Sequence, residues 1–160
     1  MNADHSFAVS VEWRGNRGTG TSGYKDFSRA VELRAEGKHA ILASAAKPFH
    51  GDADRWNPEE QLIAALAQCH LLSYLHVATQ AGVIIESYTD AATGTLHTNP
   101  DGSGALVEVV LRPVVTISAG DPATALALHA EANRLCFIAN SVNFPVRHEP
   151  QTLLVDDDRS

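Results

Sequence analysis

The chain has 160 residues, 44% of them apolar and 19% charged, which is the balance of an ordinary soluble globular protein of one domain. Twelve basic residues against nineteen acidic give a net charge of −7 with no run of Lys or Arg, so duplex nucleic acid is excluded as a partner. Two cysteines are too few for a secreted disulfide scaffold, and MNADHSFAVS has no basic segment followed by an apolar one, so the expectation is no signal peptide and a reducing, cytoplasmic setting.

Residues 7–13 (FAVSVEW) alternate apolar and polar and predict a strand. The Gly-rich 14–23 (RGNRGTGTSG) predicts a turn or loop. Residues 24–33 (YKDFSRAVEL) and 40–44 (AILAS) predict two more strands, with Glu36-Gly37 as a turn between them and 48–56 as a loop. At Asn57-Pro58-Glu59-Glu60 the chain offers a capping side chain, a proline suited to a first turn and two carboxylates for the positive end of a helix dipole. The helix is expected to run to about Ala81 and stop at Gly82. Leu62, Ile63, Leu66, Leu71, Leu72, Leu75 and Val77 cover nearly its whole circumference, predicting a helix buried all round. A chain this short struggles to wrap such a helix, so a dimer interface along it is expected. Gln68, His70, Ser73, His76 and Thr79 interrupt the apolar run and argue against a membrane span.

Residues 83–88 predict a strand that continues toward 96, and 99–104 (NPDGSG) a hairpin turn. Residues 106–117 predict the return strand, with Pro113 marking an edge or a bulge. Asp121-Pro122 caps a second helix over 123–135. A last strand is expected over 142–155, and the end of the chain, 155–160, as a frayed acidic tail. The order gives an α+β domain over 1–160, with antiparallel sheet segments around a long central helix.

Chemistry concentrates on two thiols. Cys69 lies deep in the first helix and Cys136 at the end of the second. A thiol reacts as thiolate, burial raises its pKa, and a helix dipole fades beyond the first turn. An ionised Cys69 therefore needs a cation from elsewhere in the fold. His70 points about 100° away around the helix, and His76 shares the face but sits roughly 10 Å along the axis. An arginine from a loop or strand suits the role better. Two readings stay open: inert packing residues, or a nucleophile and its resolving partner. Glu59 precedes Cys69 by ten residues, about 15 Å on a straight helix, so the two share no site directly unless something bridges them; two copies of the helix packed antiparallel across a two-fold axis would bring Glu59 of one toward Cys69 of the other.

Other groupings are weaker. Cys69, His70, His76, His129 and Cys136 are metal-ligand types without CxxC or HxxxH spacing, and no metal is expected. His76 and His129 read as core or rim residues. A Cys–His hydrolase stays open, although a mid-helix nucleophile suits acyl transfer poorly. GTGTSG lacks the GK[ST] ending of a phosphate loop. Phe49, Trp56, Tyr74, Phe137 and Phe144 either line an apolar pocket near the thiols or are simply core.

The segment NPEEQLIAALAQCH resembles the signature of the OsmC/Ohr family: Asn or Ser, Pro, Glu, then Leu and small residues, then Cys ten positions after the Glu. The opening Trp13-x-Gly15, the order of elements and the second cysteine are similar too. The resemblance implies an intertwined homodimer in which sheets wrap the long central helices. It also implies a thiol peroxidase that reduces organic hydroperoxides, and hydrogen peroxide less efficiently, without metal or prosthetic group. Cys69 would be the peroxidatic nucleophile and Cys136 the resolving thiol. Glu59 would orient an arginine that stabilises the thiolate, Arg29 in preference to Arg17. An external dithiol, on the family's pattern a lipoyl group borne on a protein, would return the electrons. Phe137 departs from the family, which usually has Pro after its second cysteine. The alternative is a non-catalytic module of the same fold that binds a small hydrophobic ligand in the dimer cleft.

Overall fold

A computed structural model describes residues 3–155. The fold is α+β, and the chain divides into two compact units, Met1–Gln61 and Leu62–Ser160. In the first unit, β1 (Ser10–Trp13), β2 (Val31–Arg34) and β3 (Ile41–Ala43) form an antiparallel sheet. The expected strand over 24–33 is only its last part. Asp26 N bonds back to Gly23 O (2.9 Å), so residues 24–26 turn instead of extending. Trp13 Nε1 donates to Ser28 O (2.9 Å), and Ser28 N to Gly15 O (2.9 Å). A Cβ at position 15 would collide with the Ser28 carbonyl, which is why glycine follows the tryptophan at that spacing.

The long helix, α1 (Pro58–Gln80), is set at both ends by local chemistry. Asn57 Oδ1 accepts from Glu60 N (2.8 Å) while Glu60 Oε2 accepts from Asn57 N (3.5 Å), the reciprocal bonds of a capping box. At the other end Gly82 takes φ +71°, Val83 N bonds to Ala78 O (2.9 Å) and Gly82 N to Thr79 O (3.2 Å). This glycine-terminated closure satisfies the last carbonyls and turns the chain into the next strand.

The second unit holds two three-stranded sheets. One runs β4 (Ile84–Asp90), β7 (Pro113–Ala119), β9 (Gln151–Leu154), and the other β5 (Thr93–Thr98), β6 (Gly104–Leu111), β8 (Val146–His148). The long strands expected over 83–96 and 106–117 are each broken in two, so one hairpin serves both sheets. The break lies at Arg112-Pro113. Arg112 N donates to Asp90 Oδ1 (2.7 Å), and its guanidinium donates to Thr93 Oγ1 (2.8 Å) and Glu149 Oε2 (3.1 Å). Pro113, with no N–H to give, starts β7.

The strand expected over 142–155 is likewise two short ones, separated at Glu149-Pro150. They pair parallel, β8 to β6 and β9 to β7. The tail expected over 155–160 lies outside the described residues apart from Val155, whose amide bonds to Ile117 O (3.0 Å).

Helix α2 (Pro122–Leu135) begins at Asp121, whose carboxylate accepts from Thr124 N (2.7 Å) and Thr124 Oγ1 (2.8 Å). Tyr74, Val77 and Ala78 of α1 pack with Val115 and Ile117 of β7 and Ala125 and Ala132 of α2. Leu66 packs with Val109 and Leu111 of β6 in a second cluster. By length and composition α1 would suffice to cross a membrane. It was expected to be buried all round, but its buried residues form one stripe, Leu66, His70, Tyr74, Val77 and Ala78. Leu72 and Leu75 remain 57% and 37% exposed within the single chain.

Candidate functional site

Helices α1 and α2 meet through three side-chain contacts whose numbers fall along one helix as they rise along the other, so the two run antiparallel. Tyr74 Oη donates to Ala125 O (2.9 Å) and His70 Nε2 meets His129 Nδ1 at 3.0 Å. At the end of the seam Cys136 lies beside Cys69, close enough for the one thiol to shift the pKa of the other. Both cysteines are free thiols, Cys69 half-buried and Cys136 1% exposed.

Cys136 closes α2, with φ −70° and ψ 110°. The chain then turns tightly through Ala139–Ser141, which aims Ala139 N at Cys136 Sγ (3.4 Å). The Cys136 thiol is pushed up to about 11, first by burial and then by the Cys69 thiol beside it. The amides of Ala139 and Ile138 oppose the shift without cancelling it. Cys136 therefore keeps its proton at neutral pH.

In reduced, folded protein at pH 8, a Cys136 pushed up to about 11 is a thiolate roughly one time in a thousand, against about one in ten for a cysteine at the ordinary 9.0. Alkylation of Cys136 by iodoacetamide, followed by mass spectrometry, should therefore be about a hundredfold or more slower than in the urea-unfolded chain. Equal rates would contradict this placement of the proton.

Glu59 sits in the first turn of α1, and its Oε2 is buried with no hydrogen-bond partner among the described residues. Arg29 was expected to serve it. The structure does not bring the two together: among the described residues no ion pair joins Glu59 to Arg29 or Arg17. The Arg29 guanidinium lies over the rings of Phe27 (4.2 Å) and Tyr24 (4.6 Å) and donates to Tyr24 O (3.0 Å) and Phe27 O (3.2 Å). Arg17 donates to Lys25 O (3.4 Å). Of the aromatics expected near the thiols, Tyr74 and Phe144 belong to different core clusters, and Phe137, Phe49 and Trp56 are exposed, Phe137 to 81%.

The match to known proteins follows this geometry. A family model described as OsmC-like protein covers residues 51–151, which include Glu59, Cys69 and Cys136. The chain belongs to the OsmC-like family. An OsmC-like protein of unknown function from Vibrio cholerae is 33% identical, superposes with a TM-score of 0.79, and the match covers 92% of this chain and 99% of that one. An organic hydroperoxide resistance protein from Elizabethkingia anophelis shares the fold at 17% identity, with a TM-score of 0.69 over 97% of this chain and all of that one. The uncharacterized protein YmaD of Bacillus subtilis is 24% identical over 144 residues, 88% of each chain.

This OsmC-like protein also carries a buried polar cluster that sequence reasoning missed. His148 of β8 stacks on His70 with centroids 5.6 Å apart, and His70 on His129 at 5.3 Å. The His129 ring stacks in turn on Tyr74 at 4.0 Å. His70 Nδ1, His129 Nε2, His148 Nδ1 and Tyr88 Oη are buried without partners among the described residues. His70 and Tyr74, one turn apart on α1, were the visible signal; the parallel pairing that delivers His148 was not expected. His76 is exposed. Among the described residues no group of three His, Cys, Asp or Glu side chains is arranged to hold a metal ion.

Proposed function

We propose that this OsmC-like protein is a thiol peroxidase that reduces organic hydroperoxides, and hydrogen peroxide less efficiently, through Cys69 and Cys136. The observation that carries the reading is the thiol pair itself: two free cysteines side by side, with Cys136 held in its protonated form. In the proposed cycle the Cys69 thiolate attacks the peroxide ROOH. The O–O bond breaks, Cys69 becomes the sulfenic acid and the alkoxide leaves as ROH after taking a proton. The Cys136 sulfur then attacks the Cys69 sulfur, and the hydroxyl leaves with the Cys136 proton as water. A dithiol, such as a lipoyl group, reduces the disulfide and is itself oxidised to a cyclic disulfide.

The family supports this assignment, since several of its relatives are named organic hydroperoxide resistance proteins. Arg29 is the proposed cation for the Cys69 thiolate, and Glu59 its orienting carboxylate. A guanidinium stays charged at any physiological pH and can serve a carboxylate and a thiolate together. Glu59 and Cys69 are about 15 Å apart on one helix, so the complete site is proposed to form in a homodimer. The exposed Leu72 and Leu75 of α1 support a second copy packing there. We place the enzyme in the cytoplasm.

The test is a thiol count. One equivalent of cumene hydroperoxide added to reduced protein should remove both free thiols and join Cys69 to Cys136. Intact thiols in folded protein would leave the fold as a binding module for a small hydrophobic ligand.

A further inference from the structure

The two thiols cannot fix their own separation, because S–H is a poor donor and a sulfur a poor acceptor. Cys136 is also the cap of its helix, the position where helices fray. A disulfide nevertheless demands Cβ atoms about 3.5–4.5 Å apart, so a slip of the two helices by a fraction of a turn would prevent it. Something beside the thiols must hold the register.

The side chain next to Cys69 on α1 is His70, and its partner His129 lies two turns before Cys136 on α2. Both imidazoles are 1% exposed. Their facing nitrogens, 3.0 Å apart, leave room for one proton, so one ring donates and the other accepts. Around the pair stand Tyr74 on α1, stacked on His129, and His148 on β8, stacked on His70. Tyr88 on β4 packs against Tyr74, with Asp90 acting on Tyr88. No carboxylate shifts either ring. Burial comes first, then positive charge on the neighbouring imidazoles, so both rings stay neutral at physiological pH. Between Tyr74–Ala125 and the thiols, this bond is the polar contact that locks α1 against α2 nearest the sulfurs.

We infer that the His70–His129 hydrogen bond is a positioning contact that holds Cys69 and Cys136 at disulfide-forming distance. The inference deepens the thiol-pair reading above and rests on it: the step it serves is Cys69–SOH plus Cys136–SH giving the disulfide and water. Neither imidazole is assigned a proton transfer.

The measurement is the effective concentration of the two thiols, from the Cys69–Cys136 disulfide equilibrium in glutathione redox buffers at pH 7.5. His129→Phe keeps a ring stacked on Tyr74 and removes the hydrogen bond. His129→Asn returns an amide group to the position of Nδ1. The Phe variant is expected to lower the effective concentration about tenfold, and the Asn variant to restore it to within about threefold of wild type. Denaturation midpoints recorded alongside separate this change from a loss of stability. An unchanged value in His129→Phe overturns the inference. So does a loss that Asn fails to rescue, which would assign the effect to ring volume, or a wild-type protein that forms no disulfide in the buffer. Glutathione disulfide oxidises the pair, itself reduced to two glutathione thiols, without any hydroperoxide. A wild-type protein that ignores cumene hydroperoxide yet shows the Phe and Asn pattern would therefore sink the peroxidase reading alone.

Discussion

Cys69→Ser is expected to lower organic hydroperoxide consumption by roughly a thousandfold or more, because it removes the only sulfur proposed to meet the peroxide. Cys136→Ser should behave differently. Its Cys69 still reacts once, so consumption proceeds to one equivalent and stops, and the sulfenic acid persists long enough to be trapped by dimedone. Dithiol-driven cycling should disappear in both variants. The distinction follows from the proton: Cys136, buried and pushed up to about 11, is a poor first nucleophile, yet it lies beside the sulfur it is proposed to attack. Hydroperoxide consumption by ferrous-xylenol orange assay, together with mass spectrometry of the trapped protein, measures both steps. Full cycling in Cys136→Ser would remove Cys136 from the mechanism, and undiminished consumption in Cys69→Ser would remove the mechanism.

Acid should destabilise the protein well before its carboxylates titrate. His70 and His129 have an ordinary value of 6.5 and are held in the fold at about 4 and about 3, in each case chiefly by burial. The unfolded chain therefore binds protons near pH 6.5 while the folded chain still refuses them. Their neutral state costs nothing above pH 6.5, and stability is lost as the pH falls from there toward 4. The slope is about 1.4 kcal/mol per pH unit for each imidazole that must stay uncharged. Between pH 6.5 and 4.5 that is about 3 kcal/mol from one imidazole and up to twice that from both, a large share of a typical domain's stability.

Urea midpoints at pH 7.5, 6 and 5 should fall steadily, and His129→Phe should flatten the decline. A level profile over that range would show that the rings are not held neutral. Cys136 acts at the other limit. Its folded value lies above the ordinary 9.0, so its contribution is present below pH 9 and lost as the pH rises toward 11.

Much of this was legible in the sequence because it is written in local chemistry. Asn57 with Glu60 starts α1, Gly82 ends it, and Asp121 with Thr124 starts α2, each through contacts within a few residues. The spacing from Glu59 to Cys69 pointed to the family because it is fixed within one helix. What stayed hidden depends on partners distant in the chain. Alternation cannot show that 83–96 and 106–117 break at matched points, since the break is held by Arg112 bonding across to Asp90 and Thr93. Residues 24–33 carry strand-like composition, but Tyr24 and Phe27 are spent on clasping Arg29. Nor does any local pattern place His148 beside His70, because parallel pairing of a three-residue strand leaves no periodicity to read.

The parallel strands have a consequence for synthesis. Each sheet of the second unit receives its third strand from the final stretch of the chain, β8 for one and β9 for the other. A nascent chain still missing that stretch has α1, α2 and both thiols in place, but only two-stranded ribbons to pack against them. The unit therefore closes only once β8 and β9 have joined it, and the two sulfurs come under the cover of the finished sheets only then.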